Sequence, residues 1–332
     1  MIDPAPPPAK RAAARKRTRK KTAEAVIPSA QPIATLEVTD PPAVEASLRP
    51  KIFQIFFEPW QRPLIDPLFV PLDNGGPATE YLEFDLFEQL ARSDQTAGAG
   101  LWGALSWRFT EKTGLTGADL LRLIDRNPGF DVYYCNALPQ HEALYHNLWA
   151  QGETAHPRIL ELARAFLAAA GLQDETQLLL PSALYSTANY FIGTPAFWSA
   201  YVRFVRDAVL RAERSLPADV RRMLHSRAAD ERGVHGGCTY MPFIVERLFP
   251  SFLRSAGSTL TTFKLPLDRP EQDMNVHLRL LREMKDAACR SKSNWLAACW
   301  VNYRNLYLSQ QHGHEWTRRH LRLITPAEIR FA

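Results

Sequence analysis

The residue in this chain best suited to chemistry is Glu246, within Phe243-Ile244-Val245-Glu246-Arg247-Leu248-Phe249. At about 100° per residue, Phe243, Ile244, Val245, Leu248, Phe249, Phe252 and Leu253 cover most of a helix's circumference. A helix that is apolar nearly all round is buried, so the Glu246–Arg247 pair in its middle must face a polar cleft or belong to a satisfied buried network. A carboxylate in partly apolar surroundings has a raised pKa, which suits a general base. Glu246 is the expected base, with Arg247 beside it to hold an acceptor. The competing reading is a structural ion pair. Asn189, ahead of the Gly193-Thr194-Pro195 turn, either holds a ligand hydroxyl or satisfies the turn backbone. Tyr190, Phe197 and Trp198 read as core anchors of the following helix.

The elements that would position such groups begin near Pro50. Lys51 to Phe57 reads as a strand covered on both faces, with Gln54 its one uncharged polar residue. Pro63, Pro67 and Pro71 exclude regular structure as far as the Leu72-Asp73-Asn74-Gly75-Gly76 turn. Tyr81 to Ala91 reads as a helix, Gly100 to Phe109 as a second strand, and Thr116 as the cap of a helix ending at Arg126. Phe130 to Ala137 reads as a third strand. This alternation predicts an α/β fold with a mainly parallel sheet and right-handed crossovers. Beyond residue 140 the pattern is helical, with Leu178 to Leu180 a further short strand. Two long helices close the chain. One has an apolar stripe of Val276, Leu280, Met284 and Ala288; the other has Trp295, Cys299, Tyr303 and Leu306.

Open α/β sheets bind ligands at the carboxyl ends of their strands. Asp73 and Asn74 follow the first strand, Ser106, Arg108 and Lys112 the second, and Asn136 the third, with Asp131 near the start of that third strand. Together with Gln54 they mark the expected cleft, although turn conformation alone also selects Asp, Asn and Lys.

Several chemistries lose support. The chain has no GxGxxG directly following the first strand, and no GxxxxGK[ST], HExxH or GxSxG anywhere. His312-Gly313-His314-Glu315 with His320 is the best metal-like cluster, but its spacing fits no standard zinc pattern. Cys135, Cys238, Cys289 and Cys299 are scattered without a CxxC pair and read as inert thiols.

The net charge of +5 is unevenly placed. Residues 1–50 hold nine Lys/Arg against five Asp/Glu, leaving the remaining 282 residues near neutrality. The Pro/Ala-rich segment 1–49 has too little apolar content to offset its ordering entropy and is expected to be disordered. Its basic run at 10–21 would be drawn to an anionic membrane surface. Nucleic acid is not an expected partner, because the body has no recognition motif or basic stripe. No secretory signal opens the sequence and no apolar stretch is long enough to span a bilayer. The expected location is the cytoplasm, at the inner membrane.

The pairing of Ala188-Asn189-Tyr190-Phe191-Ile192-Gly193-Thr194-Pro195-Ala196-Phe197-Trp198 with Phe243 to Phe249 resembles the C-terminal half of bacterial glycosyltransferases from capsule and lipopolysaccharide loci. Phe53 to Phe57, Val70 to Asn74 and Leu105 to Leu115 resemble N-terminal pieces of the same group. The resemblance spans residues 50–265 and leaves 266–332 as a helical extension. It implies a GT-A-like fold and transfer of a sugar from a nucleotide-sugar donor to a glycan or lipid-linked glycan acceptor. Glu246 would be the base, Asn189 and Arg247 the acceptor side, and Gln54, Asp73, Asn74, Ser106, Arg108, Lys112, Asp131 and Asn136 the donor side. Such enzymes often hold the donor diphosphate with Mg²⁺ or Mn²⁺ through an Asp-x-Asp motif. This sequence has none at a strand end; Asp131 is the one candidate ligand, and Lys112 or Arg108 would balance charge in the metal's place. The alternative is a non-catalytic scaffold of the same shape.

Overall fold

The computed structural model describes residues 49–76, 79–228, 237–321 and 329–332. The basic run at 10–21 and the rest of the expected tail through residue 48 lie outside the described residues. Among the described residues there are eight strands: β1 (Lys51–Phe56), β2 (Val70–Asp73), β3 (Trp102–Ser106), β4 (Val132–Tyr134), β5 (Leu178–Leu179), β6 (Phe191–Gly193), β7 (Thr262–Lys264) and β8 (Arg330–Phe331). Six form one sheet in the order β2-β1-β3-β6-β4-β7, while β5 and β8 make a separate parallel pair. Within the large sheet β2, β1 and β3 are mutually parallel, as are β4 and β7; β6 runs antiparallel between β3 and β4. The fold is α/β, with a mostly parallel mixed sheet flanked by helices and a helical C-terminal part.

Side chains alternate strictly across the sheet, as the two-residue strand period requires. Phe53, Ile55, Trp102, Ala104, Val132, Tyr134 and Phe191 enter one core, shared with the helices Glu83–Ala91, Ile159–Ala169, Pro195–Ser215, Tyr240–Glu246 and Phe249–Arg254. Ile52, Leu105, Tyr133, Cys135, Tyr190 and Ile192 enter the other, against Leu120 and Ile124 of the helix Gly117–Arg126. That helix starts where the sequence places it: Thr116 Oγ1 accepts from Asp119 N at 3.2 Å in a reciprocal capping box.

The prolines between residues 63 and 71 do not exclude a strand. Pro71 lies within β2, which is an edge strand, so its missing N–H interrupts no inner ladder. The segment after Asn189 is likewise more than a turn, since Phe191–Gly193 inserts as β6. A Cβ on Gly103 would fall 2.3 Å from Phe191 O, so only glycine lets β3 and β6 close. Thr194 then caps the helix Pro195–Ser215 through Phe197 N at 3.2 Å, and Trp198 donates its indole N–H to Trp102 O at 2.8 Å while the two rings stack at 4.1 Å.

The apolar helix around Glu246 is two helices, Tyr240–Glu246 and Phe249–Arg254. Pro250 has no N–H to offer the carbonyl of Glu246 four residues earlier, and its ring would clash there, so the first helix ends.

The helices Val276–Ser291 and Asn294–His320 pack on the helix Pro139–Leu144. Trp300 Nε1 donates to Ala143 O at 2.9 Å, Lys285 Nζ to Tyr145 O at 3.2 Å and Arg304 Nη1 to Leu144 O at 3.5 Å. These carbonyls lie at a helix end, where intrahelical partners run out. Meeting them turns both long helices partly away from the orientation expected from their apolar stripes: Ala288 stays buried and Met284 and Tyr303 still pack on this core. Leu278, Leu281, Lys285, Ala297, Trp300, Val301 and Arg304 face inward, whereas Val276, Leu280, Trp295, Cys299 and Leu306 are exposed. Among the described residues no helix is long and apolar enough to cross a membrane.

Candidate functional site

All five parallel strands of the large sheet present their carboxyl ends to one edge, and antiparallel β6 begins at that edge. Residues following β3 and preceding β6 therefore meet. Ser106 Oγ and Tyr190 OH are 2.9 Å apart. The Tyr190 ring packs edge-on against Phe109 at 5.2 Å, and Lys112 Nζ lies 5.9 Å from its centroid. Burial pushes the Tyr190 phenol well up, so it stays protonated. Lys112 is carried by the short helix Phe109–Thr113 directly after β3.

Glu246 lies within the electrostatic reach of Lys112 but is not among the residues lining the two clefts of the carboxyl edge. Its side chain is 28% exposed, although Phe243, Ile244 and Val245 before it are buried. Burial raises its carboxyl pKa, and the positive charges of Arg247 and Lys112 partly offset the rise. The phenol of Tyr201, itself pushed up by burial, lies within the field of the Glu246 carboxylate. The result is a carboxylate made more basic by desolvation, with Arg247 the stronger and Lys112 the weaker of the two positive charges acting on it.

Arg247 plays a different part. It is buried, and its guanidinium donates to Leu148 O at 3.1 Å, Phe243 O at 2.8 Å and Gln151 Oε1 at 3.1 Å. A Cβ at Gly152 would sit 2.8 Å from Arg247 Nε, so glycine there leaves space for the arginine. These contacts make Arg247 a brace that holds Glu246 in position.

The other sequence-selected residues fall into separate places. Gln54 is fully buried; it donates to Ser106 O and Trp107 O at 3.2 and 3.3 Å and accepts from Asp66 N at 2.8 Å, fixing the loop after β1 to β3. Asp73 accepts from Gly75 N at 2.9 Å in a local turn, and Asn74 N donates to Phe56 O at 2.8 Å. Arg108 forms a two-point pair with Glu111 at 3.0 and 2.6 Å. Asn189 Nδ2 donates to Glu83 Oε2 at 2.9 Å beside Tyr190. Asn136 is buried, donating to Glu142 at 2.6 Å and accepting from Thr187 at 2.6 Å. Asp131 lies at the opposite, amino end of β4, where it accepts from Thr261 N and Oγ1, each at 2.8 Å. It does not share the edge with Ser106, Lys112 and Asn136, so it is poorly placed to hold a metal there.

Two clefts open along the carboxyl edge. One, of about 440 Å³, is lined by Lys112, Glu111, Leu138, Gln140, Arg269 and Asp273 among others. The second, of about 310 Å³, is lined by Asn136, Glu142, Ser182, Lys264 and Arg282. Its floor is an ion cluster: Lys264 Nζ lies 2.6 Å from buried Glu142 Oε1, and Arg282 lies 3.7 Å from the other carboxylate oxygen while pairing with Glu271. Lys264, Glu142, Arg269 and Arg282 were not singled out by sequence. Lys264 ends a three-residue strand too short to show a period, and the others lie on helices whose charged residues look like ordinary solvated faces.

Among the described residues no group of three or more His, Cys, Asp or Glu is arranged to hold a metal ion. His312 and His314 are exposed on the last helix, where His312 packs on Trp316 at 4.3 Å across the break at Gly313. Comparison of the chain with family models, curated proteins and solved structures found no match.

Proposed function

We propose that this chain is a glycosyltransferase that moves a sugar from a nucleotide-sugar donor to a glycan or lipid-linked glycan acceptor on a GT-A-like scaffold. The observation that carries the reading is Glu246: a carboxyl made basic by burial, partly exposed, beside a braced arginine and within the field of the Lys112 ammonium. Glu246 would take the proton of the acceptor hydroxyl as its oxygen bonds to the sugar's anomeric carbon. The bond from that carbon to the donor phosphate breaks, and its electron pair leaves on the phosphate oxygen. Lys112 and Arg269, on the walls of the 440 Å³ cleft, would balance that charge. Asp131 is too far along the sheet to serve as ligand for Mg²⁺ or Mn²⁺ at this edge, so the cations of the chain are given the electrostatic role. An enzyme of surface polysaccharide assembly would work at the cytoplasmic face of the inner membrane, where the 10–21 run adds attraction.

One observation favours the scaffold alternative. Gln54, Arg108, Asn136, Asn189 and Arg247 all spend hydrogen-bonding capacity on internal partners. A thermal-shift screen with UDP-, GDP-, CMP- and dTDP-sugars, each with and without Mn²⁺, separates the two. Stabilisation by one nucleotide class supports transfer chemistry, and dependence on Mn²⁺ restores a metal. No shift with any donor supports the scaffold.

A further inference from the structure

The outward face of the C-terminal helical hairpin is built like half of an interface. Trp295 is 81% exposed, Val276 72%, Leu306 57% and Leu280 48%. With on the order of 200 Å² for a fully exposed tryptophan and about 120 Å² for an aliphatic side chain, these four present roughly 400 Å² of apolar surface. A standard interface buries about 800 Å² per partner, a little over half of it apolar. The patch therefore supplies most of the apolar surface that one partner in a stable complex needs, within the range of the largest patch a monomer leaves open.

Charge identifies the occupant. From Asn294 through Gln311 the second helix has one charged residue, Arg304, and that residue is buried. A stripe with no exposed charge offers nothing to an anionic bilayer or a strongly acidic or basic partner, yet it can meet its own copy without like-charge repulsion. Along the first helix the flanking exposed charges alternate in sign, with Arg279 one turn from Glu283 and Arg290 beyond. Arg279 donates to Met274 O and Glu271 O of its own chain through Nε and Nη2; a two-fold axis can set its charge and remaining donors against Glu283 of the other copy, the self-complementary arrangement an isologous contact requires.

We propose that two copies of this chain associate through the helices Val276–Ser291 and Asn294–His320, burying Val276, Leu280, Trp295, Cys299 and Leu306 about a two-fold axis. This assignment is independent of the transferase reading. Cys299 lies within the stripe and is exposed, whereas Cys135 and Cys289 are buried and Cys238 is half-buried, so it reports the contact directly.

The test is sedimentation equilibrium of the full chain, with Trp295→Glu and Leu306→Glu alongside, plus cross-linking of the unaltered chain by a short bis-maleimide. The expected result is a dimer with a dissociation constant of roughly micromolar or below. Trp295→Glu should weaken it about 30-fold or more. A cross-linked dimer should form through Cys299 and disappear in Cys299→Ser. Both glutamate variants change mostly exposed side chains and should keep the wild-type far-UV circular dichroism. A chain that stays monomeric, a dimer unaffected by both variants, or assembly that continues past two copies overturns the proposal.

Discussion

Glu246 Oε2 stands 3.5 Å from Arg247 Nη1, close enough for charge and too long for a strong hydrogen bond. The two neighbours have opposite surroundings. Arg247 gives its donors to Leu148, Phe243 and Gln151, while the carboxylate it braces stays open to solvent. Pro250, by ending the helix at Glu246, sets this contrast.

That arrangement costs stability, and the cost has a pH signature. Burial raises the Glu246 pKa above its ordinary 4.5. Between 4.5 and the raised value the native state keeps a proton that the unfolded chain has lost, so stability falls as pH rises through that window. Glu246→Gln should therefore stabilise the fold at neutral pH, with the gain vanishing below 4.5. Thermal melts of both proteins across the acid range measure it. A pH-independent difference would mean that the carboxyl is not desolvated.

Lys112 lowers the Glu246 pKa through its charge. Lys112→Met should move the acidic limb of the pH–rate profile upward, because the base then keeps its proton to higher pH. Loss of rate with the limb unmoved would confine Lys112 to donor binding.

Lys285 offers a separate test of the C-terminal hairpin. It is fully buried, and burial pushes its pKa down to about 8 from 10.5, against the attraction of Asp286 and Glu142. The unfolded chain binds more protons between those values, so its contribution to stability rises from pH 8 to 10.5 and is most unfavourable below 8. Relative to wild type, Lys285→Met should lose about 3 kcal/mol of advantage across that interval. Urea unfolding at both ends of the interval checks the slope. Equal differences at both ends would place the ammonium in contact with water.

Asn147 holds the segment entering β5. It is fully buried, donates toward Glu175 O, Thr176 O and Leu178 O at 3.2, 3.2 and 2.8 Å, and caps the next helix through Ala150 N at 2.8 Å. Asn147→Ala leaves these backbone groups unpaired and should cost about 3 kcal/mol in denaturant unfolding. A loss below about 0.5 kcal/mol would mean that water replaces the amide.

Much of this architecture was legible in the sequence where one local signal dominates. The β1 run, the Thr116 capping box and the Thr194-Pro195 helix start each specify their element through neighbours a few residues away. β2, β6 and β7 were missed because each is four residues or fewer and owes its strand character to pairing across the sheet. Pro71 survives only because β2 is at the edge. The stripes of the last two helices misled because periodicity weighs apolarity, whereas Trp300, Lys285 and Arg304 turn inward to reach the carbonyls of residues 143–145. At the site, residue type marked Glu246, Lys112 and Ser106; the topology brings Ser106 and Lys112 to one edge, and the Lys112 charge reaches Glu246. Asp131 was already legible as lying near the start of its strand, and the parallel direction of β4 puts it at the end away from the clefts.

The most direct test of the transferase account is nucleotide release from whichever donor stabilises the protein, measured for wild type and Glu246→Gln side by side. The account predicts release by wild type and a fall on the order of 10²- to 10⁴-fold in the variant, with the donor-induced thermal shift retained. Equal release rates in the two proteins would contradict it.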